Sequence, residues 1–103
     1  MSRTITISVP HSLGQQMALE RVTSLCNQIR AQYADRMKVT KEVWTGNRLD
    51  FAIEALTRTV SGAIDVEDNA VAIAVDLPFL LWPLASKAKA LIERRAKAIL
   101  QPA

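Results

Sequence analysis

Alternating apolar and polar positions predict a β-strand in the last third of this chain. Between Ala70 and Pro78 large apolar side chains take every second position, separated by Ala72, Ala74 and Asp76. Successive side chains of a strand point to opposite faces of a sheet, so this alternation places one apolar set on a single face. The inward residues are Val71, Ile73, Val75 and Leu77. The outward side chains of the predicted strand are unusually small.

A shorter strand of the same kind opens the chain. Ile5, Ile7 and Val9 alternate with threonine and serine, a β-branched composition typical of a half-buried strand. Pro10 is expected to end this strand, because it has no N–H to donate to a neighbouring strand.

Two more extended runs, residues 39–45 and 48–55, flank Gly46-Asn47. A tight hairpin loop needs positive φ angles, which both of these residues tolerate. We therefore predict a two-residue hairpin in which Trp44 faces Leu49. One face of the sheet then carries Trp44, Leu49, Phe51 and Ile53.

Residues 58–66 form a further predicted strand, in which Gly62 marks either a bulge or a close approach of neighbouring groups. Its inward side chains are Val60, Ile64 and Val66. A polar turn at residues 67–69 connects this strand to the alternating strand described first.

Apolar residues at three- and four-residue spacing predict a helix that follows Pro10 and ends near Arg36. Ser12 is placed as its N-cap, and Gln15 three positions later completes a capping box. The apolar stripe of this helix consists of Ala18, Val22, Leu25, Cys26, Ile29 and Tyr33.

A second amphipathic helix is predicted at the end of the chain, and its start depends on Pro83. Because proline belongs in a first turn, either the helix begins near Trp82 or residues 79–82 form an irregular first turn. Pro102-Ala103 is expected to fray. The apolar stripe consists of Leu84, Ala88, Leu91, Ile92 and Ile99.

The element order β-α-β-β-β-β-α predicts one α+β domain over residues 1–103. Its single antiparallel sheet has about five strands, with two helices on one face. Sequential hairpins make the four middle strands a meander, and the first strand is added at one side. The other face is too polar for a second core, so it either meets solvent, our preferred interpretation, or forms a homodimer contact.

The composition is that of an ordinary globular domain. Half of the 103 residues are apolar and 22% are charged, which argues against disorder. No apolar run approaches the ~20 residues of a transmembrane helix, and the N-terminus lacks the apolar run of a signal peptide. We therefore expect a cytoplasmic protein.

The net charge of +3 is concentrated at the end of the chain. Five cations against Glu93 give residues 86–100 a net charge of +4, which leaves −1 for the remainder. This asymmetry favours an anionic partner for the last helix.

No constellation of residues predicts catalysis, a cofactor site or a metal site, so we expect a protein that is not an enzyme. The single histidine, His11, is interpreted as structural, bonding turn backbone or tying the helix start to a strand. Cys26 lies on an apolar stripe, where a thiol behaves as a small hydrophobe. The three glycines are isolated and form no phosphate-binding loop.

Two features suggest a partner surface. Four bulky residues in succession at 79–82 cannot all point into one core. Either one or two of them reach the surface or a partner, or they plug one end of the helix–sheet sandwich. The basic side chains of the last helix could contact phosphate, anionic lipid or an acidic protein, or simply be solvated. The candidate partner surface consists of Phe79, Leu80, Trp82, Lys87, Lys89, Arg94, Arg95 and Lys97.

A third possibility is a pocket for an acyl chain or another hydrophobic ligand between helix and sheet. The candidate pocket residues are Tyr33, Trp44, Phe51 and Trp82. Nucleic-acid binding by the basic helix is disfavoured, because that helix has no aromatic residue on which a base could stack.

Four motifs recur in a familiar order between Ile5 and Leu100. They are His11-Ser12-Leu13-Gly14, Trp44-x-Gly46-x-x-Leu49-x-Phe51, Gly62-x-Ile64-x-Val66 and Leu77-x-x-Leu80-Leu81-x-x-Leu84. Together they resemble the small bacterial polyhydroxyalkanoic acid system proteins, also called polyhydroxyalkanoate granule-region proteins. The chain departs from the pattern in a longer stretch between Phe51 and Gly62 and in Pro83, which bear on loop geometry.

The resemblance implies a role in polyester storage metabolism. No catalytic residues are established for the family, so none is carried over to this chain. We therefore expect a non-enzymatic accessory protein that binds a polyhydroxyalkanoate granule or a granule-associated protein.

Overall fold

The structure is a computed structural model that describes residues 2–55 and 57–101, and it confirms the predicted order of elements. Pro102-Ala103, predicted to fray, lies outside the described residues. The elements are β1 (Ser2–Pro10), α1 (Gln15–Gln32), β2 (Met37–Thr45), β3 (Arg48–Ala55), β4 (Arg58–Val66), β5 (Ala70–Pro78), a 3-10 segment (Phe79–Leu84) and α2 (Ala85–Ile99).

The five strands form one antiparallel sheet in the order β1-β5-β4-β3-β2. The middle strands are the predicted meander, and β1 is added beside β5. The hairpin register is also as predicted, with Trp44 opposite Leu49. Gly46 alone of the two loop residues takes a positive φ, 62°. Asn47 was expected to do the same, but its side chain instead donates to the Val66 carbonyl at 2.6 Å.

Both helices cover the same face of the sheet, where their inward residues join the inward residues of the strands in one core. The strands contribute β-branched and leucine side chains, whereas the fully covered positions of α2 include two alanines. The buried members of this core are Ile5, Ile7, Val9, Ala18, Val22, Val60, Val66, Val71, Ile73, Val75, Leu77, Ala85, Ala96 and Leu100.

The start of α1 corrects the predicted N-cap. The helix begins at Gln15 after Gly14, whose φ is 82°, and no side chain of its own segment caps it. Instead Asp68, in the loop between β4 and β5, accepts the Gln15 N–H at 3.2 Å. Ser12 lies before Gly14 and outside the helix. A carboxylate brought by the β4–β5 loop therefore replaces the predicted local cap.

The end of α1 also differs from the prediction, since the helix stops at Gln32 rather than near Arg36. Tyr33 is the C-cap residue. Its carbonyl accepts the N–H groups of both Arg36 and Met37, which turns the chain into β2. The last turn of the expected helix is therefore a tight connection to the sheet.

The 3-10 segment resolves the ambiguity at Pro83. Pro83 lies inside this segment, and α2 proper starts at Ala85. Leu84 and Leu91, predicted to face the core, are 47% and 46% exposed. The buried positions are Ala85, Ala96 and Leu100, so α2 presents its small side chains to the sheet.

Gly62 is a close-packing position rather than a bulge. Its pairing with Phe51 and Val75 is in register, and the irregularity of the sheet lies between Val39 and Lys41. A Cβ at Gly62 would press on the Ala74 carbonyl oxygen and lie 2.7 Å from Cζ of Phe51. Only glycine leaves room for these two groups.

We expect Gly62→Ala to lower the free energy of unfolding by about 2–3 kcal/mol, because the added methyl overpacks rigid backbone in mid-sheet. Urea denaturation would measure this loss. Gly46→Ala is the control, with open space around it and a cost of only about 1 kcal/mol for its positive φ. A Gly62→Ala protein as stable as Gly46→Ala would contradict the close packing.

Arg21 joins the two helices at one end of the domain. Its Nη1 donates to the carbonyl oxygens of Ile99 at 2.9 Å and Gln101 at 2.6 Å. These carbonyls lie at the C-terminus of α2, where backbone acceptors lack partners and a cation is favourable. The first half of α1 is thereby held against the last turn of α2.

Arg21→Ala should lower the free energy of unfolding by about 1–2 kcal/mol, because both carbonyls lose a charged donor. Thermal or urea denaturation monitored by circular dichroism would measure the effect. Arg36→Ala is the matched control, since Arg36 is exposed and its side chain makes no hydrogen bond among the described residues. Equal stabilities of the two variants would show that the bridge contributes nothing.

Candidate functional site

An apolar groove lies between α1, α2 and the sheet. Its volume is about 470 Å³, and it is only partly enclosed. The second half of α1 forms one wall and the middle of α2 forms the other, while strands β2 to β5 provide the floor. Representative lining residues are Leu25, Ile29, Ile53, Val60, Leu91 and Ile92.

The groove exists because the two helices meet at one end and are lined by small side chains at the other. At the closed end, Arg21 holds α1 to the end of α2. Toward the opposite end the facing residues of α2 include Ala88, which is too short to fill the space above the sheet. The floor is lowered further where Phe51 packs over Gly62.

Polar groups are confined to a few positions along this groove. Arg30 of α1 forms an ion pair with Glu42 of β2, and both side chains line the groove. Arg95 of α2 lies across from them and forms no ion pair within the described part of the chain. One cation of the groove is therefore neutralised by a carboxylate, and the other is not.

Two of the four predicted pocket residues line this groove, and two lie elsewhere. Tyr33 and Phe51 contribute to its wall and floor. Trp44 packs against the core near the β2–β3 hairpin, next to Leu49. Trp82 is held within the 3-10 segment, where its Nε1–H donates to the Leu77 carbonyl at 3.1 Å. The candidate pocket predicted from the sequence therefore coincides with this groove at Tyr33 and Phe51, and the two tryptophans are not part of the groove lining.

The four bulky residues at the start of the 3-10 segment divide between core and solvent. Leu81 and Trp82 are partly buried and pack against the core. Phe79 and Leu80 are 62% and 56% exposed. The Phe79 ring contacts Trp82 edge-to-face, with centroids 5.2 Å apart. Two of the four residues therefore pack on the core, and two reach the surface.

The basic residues of α2 do not share one face. Lys87 and Arg94, seven positions apart, lie on the same outward side and are exposed. Arg95 lines the groove. Lys89 is exposed on another side, and Lys97 approaches Glu93 at 3.6 Å. The candidate surface therefore contains one outward basic pair on α2, the helix that follows the exposed apolar residues in the chain, rather than a continuous basic stripe.

His11 connects the β1–α1 junction to the β4–β5 loop. Its Nδ1 accepts the Leu13 N–H at 3.2 Å, so the neutral ring carries its proton on Nε2, which donates to the Glu67 carbonyl at 3.1 Å. Its backbone N–H donates to Asn69 at 2.9 Å. All three bonds involve the backbone of turns, which is one of the structural roles expected for this histidine.

Cys26 lines the groove, and its surroundings disfavour the thiolate. Burial raises the pKa of the Cys26 thiol, and the negative charge of Glu42 raises it further. Arg30 acts in the opposite direction and lowers this pKa. The thiol is therefore mainly protonated at neutral pH, as a structural cysteine would be.

Cys26 should react with N-ethylmaleimide with a pH midpoint above that of an ordinary exposed thiol, because burial raises its pKa. Glu42→Gln should move this midpoint to lower pH, because it removes a charge that raises the pKa. Arg30→Gln should move it to higher pH, because it removes a charge that lowers the pKa. Rates of alkylation followed by mass spectrometry would measure both shifts. Shifts of the same sign in both variants would contradict this electrostatic arrangement.

Glu42 and Arg95 show what sequence reasoning missed at this site. Glu42 lies in an apparently exposed run of charged residues, but it faces the helices because it is two positions before Trp44 and pairs with Phe51. The predicted hairpin register was therefore a usable signal for its position. Arg95 was grouped with the outward cations, although its spacing from Leu91 and Ala88 was a usable signal that it borders the apolar stripe.

The described residues contain no group of three side chains suited to hold a metal ion. Within the same residues, neither helix is long and apolar enough to cross a membrane.

Comparison with known proteins identifies a family. A family model for polyhydroxyalkanoic acid system proteins, the granule-region family, matches residues 5–100. This match confirms the resemblance drawn from the four motifs, over the same span. No curated protein and no solved structure matches the chain.

Proposed function

We propose that this chain, which belongs to the polyhydroxyalkanoic acid system family, is a non-enzymatic accessory protein that binds the surface of a polyhydroxyalkanoate granule. The observation that supports this proposal is the exposure of Phe79 and Leu80 on an ordered segment. The family supplies the link to polyester storage, and the exposed residues supply a means of attachment. A cytoplasmic location is part of the same proposal.

The 3-10 segment is suited to surface attachment because it is anchored while its apolar side chains are not covered. Trp82 fixes the segment to the end of β5 through its bond to Leu77, and Leu81 packs on the core. Phe79 and Leu80 are consequently held outward at little further entropic cost on binding. Complete burial of such a side chain against an apolar surface contributes about 1.5–3 kcal/mol.

Positive charge on the helix that follows these residues supports an amphiphilic surface as the partner. Lys87 and Arg94 lie on the outward side of α2, which directly follows the 3-10 segment. Apolar side chains beside cations favour an interface that combines an apolar interior with anionic groups. The nucleic-acid alternative gains no support, because the basic residues are dispersed around α2.

A sedimentation assay with purified granules tests the proposal. Phe79→Ser/Leu80→Ser should weaken co-sedimentation on the order of tenfold or more, because two apolar contacts are lost. The fold should be retained, since both side chains are mostly exposed and the lost Phe79–Trp82 ring contact is expected to cost only about 1 kcal/mol. We avoid Trp82 as a target because its hydrogen bond and partial burial would confound binding with stability.

Met17→Ser/Val43→Ser is the matched control, because these residues are 46% and 47% exposed and lie outside the 3-10 segment. The control should sediment with granules like the unaltered protein. Equal sedimentation of all three proteins, or sedimentation of none, would refute attachment through Phe79 and Leu80. Sedimentation that requires a second granule protein would assign the contact to that protein.

The outer face of the sheet remains the predicted site of solvent or homodimer contact. It carries small side chains on its central strands, including Ala63, Ala72 and Ala74. Small residues permit close approach of a second copy, and the oligomeric state in solution would decide between the two uses.

A further inference from the structure

We propose that the groove between the two helices binds one single-chain aliphatic carboxylate, with its tail along the sheet and its carboxylate on Arg95. This inference goes beyond surface attachment, since it assigns a site for a monomeric ligand inside the fold. It does not depend on Phe79 and Leu80, which lie outside the groove lining.

The composition of the groove specifies an aliphatic tail. Side chains of both helices and of four strands present almost wholly apolar groups to it, with polar groups only at Arg30, Tyr33, Glu42 and Arg95. An aliphatic chain bound against this surface removes both from water, which the hydrophobic effect favours. A ligand rich in hydrogen-bonding groups would find too few partners along the floor.

The charge of the groove specifies an anionic head. Glu42 is paired with Arg30, and Glu93, the acidic residue of α2, approaches Lys97. Arg95 therefore faces the groove without a carboxylate partner among the described residues. A guanidinium matches a carboxylate in both charge and planar geometry, so it would bind an acid head in preference to an alcohol.

The volume of the groove specifies one chain of medium length. At about 30 Å³ for each heavy atom, a value similar to the share of a water molecule in the liquid, decanoate needs about 360 Å³. The groove offers about 470 Å³, within the range usual for small-molecule sites. Decanoate therefore fits, while a two-chain lipid would exceed the space.

Binding of decanoate and of 1-decanol to the intact protein tests the proposal. Isothermal titration should give one decanoate per chain, and saturating decanoate should slow the alkylation of Cys26, which lines the groove. 1-Decanol should bind about tenfold more weakly, because it has no charge for Arg95 to contact. This comparison uses the unaltered protein and needs no variant to fold.

Arg95→Gln and Arg94→Gln form a matched pair of variants. Arg95→Gln should weaken decanoate about tenfold and leave 1-decanol unchanged, whereas Arg94→Gln, on the outward side, should change neither. Absence of saturable binding and of Cys26 protection would overturn the site. Equal affinities for acid and alcohol, or equal effects of the two substitutions, would overturn the assignment of the head to Arg95.

Decanoate binding and granule attachment can be tested separately. Arg95→Gln should still sediment with granules, and Phe79→Ser/Leu80→Ser should still bind decanoate. Loss of decanoate binding in the Phe79→Ser/Leu80→Ser protein would show that the two sites are one, and would overturn a separate groove.

Discussion

The structure depends on the burial of one face of the sheet under two helices. The side chains that meet at this contact differ in size. The inward residues of the strands are mostly valine and isoleucine, while α2 covers them with Ala85, Ala88 and Ala96. Close packing follows where the helices meet at the Arg21 bridge. Farther along, the small side chains cannot fill the space above the sheet, and the groove results. The core and the groove are therefore two consequences of the same contact.

Chain topology brings the groove and the exposed apolar residues toward one end of the domain. β5 contributes Leu77 to the groove and leads directly into Phe79, so the attachment segment follows the floor of the site without a linker. The family match links the chain to the polyhydroxyalkanoic acid system. The two sites proposed above would combine a surface contact with a site for one acyl chain, each formed by different residues.

Much of the fold was predictable because strand alternation and hairpin chemistry are local. The pairing of Trp44 with Leu49 followed from the two residues of the hairpin loop. The inward residues of β5 followed from the alternation of large apolar side chains along that strand. The predictions that failed concern contacts between distant segments. Asp68 replaces Ser12 at the start of α1 from 53 positions beyond Gln15, and no local pattern announces such a partner.

Periodicity and motif order along the chain were enough to predict the α+β class, the antiparallel meander, the family and the surplus of apolar residues at 79–82. Three features required the folded structure: which of those residues face solvent, the absence of both tryptophans from the groove lining, and the position of Arg95 at the groove without an acidic partner among the described residues. These outcomes depend on how far two helices separate above a sheet. That separation is set by side-chain volumes in contact across the core, which neighbouring positions in the chain do not reveal.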